Sequence, residues 1–205
     1  MTTLRTHIDL PYIRDVRRAD VRRACYTPER LAELYDRPHT VVEVLLRRDG
    51  KWHDVPDADR LWTVLRLDLI DARTLRLFAC DCAERTLDRR RAAGREPDPR
   101  SMEAVRVARL YADGKATADE LGAAHAASCD AAARAVAAAH AKDAYACADV
   151  YCDTTTYADA ADAAIRSANT ADAGGTLTYA PPGAVAERRW QVEHLAAMLG
   201  TGGAS

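Results

Sequence analysis

Apolar residues recur at three- and four-residue steps along most of this chain, the spacing of one face of an α-helix. From Ala72 to about Ala92 the stripe is Leu75, Phe78, Ala79 and Cys82, with Asp71 before it as a cap and Gly94 after it as a stop. Asp98-Pro99 restarts the chain as cap and first helical residue. That helix runs to about Ala112, buries Val105 and Ala108, and is broken by Asp113-Gly114. Thr117 and Glu120 have the spacing of a capping box. Two long helices are expected from there to Ser167, interrupted near Lys142-Asp143 or at Thr154 to Thr156. A last amphipathic helix, Ala184 to Leu199, carries Val185, Trp190, Leu195 and Met198.

The first part of the chain is less regular. Pro11 opens a helix read as far as Cys25, and Thr27-Pro28 caps a short one ending at Tyr35. Thr40 to Arg48 mixes β-branched residues with leucines and reads as either a strand or a short helix. Asp49-Gly50 is a turn signal, so with Lys51 to Val55 a small hairpin is a possible outcome. Asp57 is read as the cap of a helix carrying Leu61, Trp62 and Leu65. The expectation is an all-α antiparallel bundle of about six to eight helices with a possible small N-terminal hairpin. Residues 1–56 form an N-terminal extension, 57–200 the bundle and 201–205 a tail.

Composition changes this picture in one respect. From Ala116 to Ala173 roughly two in five residues are alanine. Helices there can approach closely but offer little bulk. The core must therefore rest on a few large side chains: Leu31, Leu34, Val44, Leu61, Trp62, Leu65, Leu75, Phe78, Val105, Leu110, Leu121, Ile165, Trp190 and Leu195.

Charge is uneven. Residues 1–110 hold 23 Lys/Arg against 19 Asp/Glu, and residues 111–205 hold 6 against 12, for a net charge of -2. Nothing in that total favours nucleic acid. No run reaches the ~18 uncharged apolar residues of a membrane span, and the first ten residues carry no secretory core. A cytoplasmic location follows as an expectation. The six cysteines read as reduced, small side chains.

Three blocks carry a family pattern: Leu75 to Leu87 (LRLFACDCAERTL), Pro97 to Ala137 and Ala186 to Leu199 (AERRWQVEHLAAML). Together they resemble the immunity-protein domain of bacterial polymorphic-toxin systems, similar stretches of which occur in actinobacterial, planctomycete and phage proteins. The resemblance covers about residues 60–200. It implies an all-α fold and a protein that neutralises a toxin, and it brings no catalytic motif.

Among chemistry-bearing groups, Asp143, Asp149, Asp153, Asp159 and Asp162 form an acidic run in the alanine-rich region. They either solvate inert helices or dock a basic protein partner, for which charge complementarity would raise association rate and specificity. Arg14, Arg18 and Arg22 recur at four-residue steps, and Arg85 and Arg89 belong to a second basic cluster, with Asp81 placed to pair with Arg85. With Tyr145 and Tyr151 these arginines are the candidates for a small anionic ligand such as a nucleotide signal. His125 and Cys129 are spaced like two metal ligands, yet no CxxC, HExxH, P-loop or GxGxxG occurs. No cofactor or metal is expected. Flat alanine faces also leave symmetric self-pairing open. The leading reading is a non-enzymatic, immunity-like binding protein, with sequestration of an anionic metabolite as its alternative.

Overall fold

The computed structural model describes residues 3–19, 26–94, 96–139 and 182–201. The described chain is all-α, with eight α-helices packed against one another. They are α1 (Leu10–Ala19), α2 (Pro28–Leu34), α3 (Val41–Leu46), α4 (Asp57–Val64), α5 (Ala72–Ala92), α6 (Pro99–Ala112), α7 (Ala118–Ala139) and α8 (Pro182–Thr201). A 3₁₀ turn, Gly50–Trp52, joins α3 to α4.

Local chemistry sets most of the starts. The side chains of Thr27, Asp71 and Asp98 accept from the backbone N–H of Arg30, Thr74 and Arg100. Thr117 and Glu120 form the expected reciprocal pair at the head of α7: Thr117 Oγ1 accepts from Glu120 N, and Glu120 accepts from Thr117 N at 2.7 Å. Gly114, at φ 70, takes the left-handed turn after α6 that a side chain would resist.

Two expectations need correction. No hairpin forms over Thr40 to Val55. Thr40 and Glu43 make a capping box, and the helix it opens buries Val41, Val44 and Leu45 on one face. The chain after Asp49-Gly50 then tightens into the 3₁₀ turn, which drives Trp52 into the interior. Asp57 is the first residue of α4 and not its cap. That place belongs to Pro56, while the Asp57 carboxylate receives Arg48 at 2.5 Å and Arg189 at 3.0 Å.

Two apolar clusters result. The larger joins Ile8, Ile13, Leu34, Leu45 and Trp52 to Leu61, Leu75, Phe78, Val192 and Leu195. The chain before Asp57 therefore shares a core with α4, α5 and α8. An isolated antiparallel bridge between Ile8 and His39 ties its beginning down. The smaller cluster holds α5, α6 and α7 together through Cys80, Ala83, Leu87, Val105, Val107, Ala108 and Leu121. Trp62, Leu110 and Trp190 are half-buried, and Ile165 lies outside the described residues.

Candidate functional site

The most concentrated polar chemistry lies along a seam where α5, α6 and α8 meet. On α5, positions 81, 84, 85 and 89 fall at three- and four-residue steps, so Asp81, Glu84, Arg85 and Arg89 share a face. On α8, Glu187, Trp190, Gln191 and His194 do the same. Asp81 is gripped from two sides: its Oδ2 lies 2.5 Å from His194 Nε2 and its Oδ1 accepts from Arg109 of α6 at 2.5 Å. Arg109 also forks onto Glu84, donating at 2.8 and 2.6 Å. The bonds to Glu84, then Asp81, hold the Arg109 guanidinium above its ordinary range despite the cost of partial burial.

One turn along, the Glu187 carboxylate is fully buried and takes both Arg85, from Nε at 2.8 Å, and Arg89. The Arg85 guanidinium also lies over the Trp190 ring, 4.4 Å from its centroid. Trp190 also stacks on His194, with centroids 4.8 Å apart and planes 11° apart. Guanidinium and imidazole thus both pack on the indole, half-exposed at the surface and anchored by Glu187 and Asp81. Three separate blocks of the sequence, Leu75 to Leu87, Pro97 to Ala137 and Ala186 to Leu199, supply most of this seam. The first gives Asp81, Glu84 and Arg85, the second Arg109, and the third Glu187, Trp190 and His194.

Sequence spacing paired Asp81 with Arg85; the structure pairs Arg85 with Glu187 and gives Asp81 to Arg109 and His194. The signal for these long-range partners was the Glu187, Trp190, His194 periodicity on one helix, which places the residues on a face without saying what they meet. Of the other expected site residues, Arg14 is exposed on α1. Arg18 belongs to the same helix, and nothing further is described of its side chain. Arg22, Asp143, Tyr145, Asp149, Tyr151, Asp153, Asp159 and Asp162 lie outside the described residues.

His125 and Cys129 do meet, with Sγ 3.7 Å from Nε2, but Cys129 is disulfide-bonded, against the reading of all cysteines as reduced. Cys80 and Cys82 are free, buried thiols, and burial pushes Cys80 up to about 12. No group of three metal-type ligands occurs among the described residues.

A second polar feature sits inside the larger core. Arg60 is fully buried and donates to the carbonyls of Val44 at 2.8 Å, Trp52 at 2.6 Å and Val55 at 3.2 Å. Burial lowers it to about 10, so it stays protonated at neutral pH. It borders a cavity of about 30 Å³ that Tyr26, Tyr35, Trp52, Asp59 and Trp62 also line, room on the order of one or two waters. This arginine stitches three chain segments together, with each of its three nitrogens bonded to a backbone carbonyl.

α7 differs from both. Asp119, Glu120 and Asp130 are exposed along it, and the helix sequence holds one basic residue, Arg134.

No family model, curated protein or solved structure matches this chain. No described helix is long and apolar enough to cross a membrane.

Proposed function

We propose that this is a non-enzymatic binding protein of the immunity type, which neutralises a basic protein partner through the acidic surface of its alanine-rich half. The observation that carries the reading is the way charge is used. In the first 110 residues carboxylates are spent within the fold: Asp36 on Lys51, Glu43 on Arg37, Asp57 on Arg48, Asp81 and Glu84 on Arg109. On α7 Asp119, Glu120 and Asp130 are exposed against one basic residue of that helix, Arg134. The sequence beyond it carries Asp143, Asp149, Asp153, Asp159 and Asp162, so that residues 111–205 hold 12 Asp/Glu against 6 Lys/Arg. A surface of one sign attracts a partner of the other and speeds encounter. The seam of α5, α6 and α8 suits a bracing role in such a protein: it fixes α6, on which α7 packs.

The test is affinity capture of a partner by the wild-type chain and by a variant carrying Asp149→Lys, Asp153→Lys and Asp159→Lys, with circular dichroism to check that helix content is unchanged. The reading expects a captured basic polypeptide that the folded variant no longer holds. Equal capture by both proteins would overturn it.

A further inference from the structure

We infer that Arg85 is the head of a small oxyanion site, built to take a carboxylate or phosphate group on a small metabolite. This is independent of the acidic-surface reading and concerns the opposite sign of charge. The argument starts from what each arginine near the seam has left to give. Arg109 has forked onto Glu84 and reaches Asp81 as well. Arg106 has forked onto Glu103, and Arg89 divides its two terminal nitrogens between Glu187 and Thr86. Arg85 is held differently. It uses only Nε, on Glu187, and rests its flat face on Trp190. Neither terminal nitrogen has a partner among the described residues, and the side chain is 42% exposed.

This is a preorganised fork. An ordinary surface arginine must lose rotamer freedom to grip an anion, whereas Arg85 is already fixed at Nε and across its plane. Its outer edge offers the parallel N–H pair that binds a carboxylate or phosphate in bidentate fashion. Arg85 and Arg89 converge on one oxygen of a single buried carboxylate, so two guanidinium groups share the Glu187 anchor. Glu187 is fully buried, which makes the anchor a part of the interior and not a passing surface pair. Trp190, beneath the fork, reports on it.

The experiment is an NMR titration of the intact protein with inorganic phosphate and, separately, with acetate, each matched against chloride at equal ionic strength. The readouts are the Arg85 Nε–H and the Trp190 indole N–H. The inference expects a saturable shift at both with at least one oxyanion and none with chloride; the tighter of the two identifies the group. Arg85→Lys keeps the charge but loses the fork, and should weaken binding about tenfold. Arg106→Lys should leave binding unchanged. Shifts that never saturate, that spread alike over all arginines, or that persist at full strength in a folded Arg85→Lys would overturn the site. The wild-type titration alone decides the matter should that variant fail to fold.

Discussion

The interior around Trp52 and the interior between α5, α6 and α7 are made of different material. The first is bulky: Tyr35, His39 and Trp52 meet edge to face, with centroids 5.2 to 5.9 Å apart, beside a buried arginine. The second is built from alanine, cysteine, valine and leucine. Large side chains bury much area each, and losing one leaves a cavity the neighbours cannot fill. Small ones bury little, but they let helices close up, so there it is crowding that does damage. Charge follows the same division. The bulky region takes its cation inside and satisfies it with carbonyls, whereas the small-residue region keeps its ion pairs at the seam along its rim.

The largest expected effects lie in the bulky half. Trp52→Ala should cost about 3–5 kcal/mol in chemical denaturation, from lost burial and the cavity left behind. Arg60→Ala should cost a similar amount, about 3–5 kcal/mol, because three buried carbonyls lose their donor and the buried side-chain volume is emptied. Arg60→Met, which restores much of the volume, should recover part of the loss; equal damage from both variants would mean that hydrogen bonding and not packing sets the cost. In the small-residue half the sign of the volume change reverses. Ala108→Leu should cost about 1–3 kcal/mol by forcing α6 from its neighbours. A neutral result would show that those helices are looser than their side chains suggest. Thr117→Ala removes one half of the capping box and should cost about 1 kcal/mol, read from the same denaturation curves.

The smallest effect is a pH slope. His39 is fully buried, bonds Leu34 O through Nε2 and has no partner at Nδ1. Burial lowers its pKa, with Arg37 adding to the shift. The unfolded chain then binds the extra proton more readily. Stability from this group is full above the unfolded value of about 6.5 and falls as pH drops through the lower folded value. Thermal melts should show that decline, and His39→Gln should flatten it. A steeper slope in the variant would contradict the assignment.

How much of this was legible in the sequence depended on the range of the interaction. The caps at Thr27, Asp71, Asp98 and Thr117 are contacts between a side chain and the backbone two or three residues on, and the sequence displays them directly. The stripe of α5 was legible for the same reason. Thr40 and Glu43 carried an equally local signal, but the β-branched residues between them masked it. Long-range partners left no such trace. Nothing near Arg60 announces that its guanidinium is buried among carbonyls of Val44, Trp52 and Val55, and nothing near Asp81 points to Arg109 or His194. Ile8, Ile13 and Trp52 entered the core because tertiary packing brings the first 56 residues onto α4, α5 and α8, which periodicity cannot express.

The most direct test of the binding-protein account is native mass spectrometry of the chain drawn from its own cells, at low and at raised ionic strength. The account predicts a complex with a basic polypeptide that dissociates as salt screens the acidic surface. A complex indifferent to salt, or a chain that travels with no polypeptide at all, would contradict it.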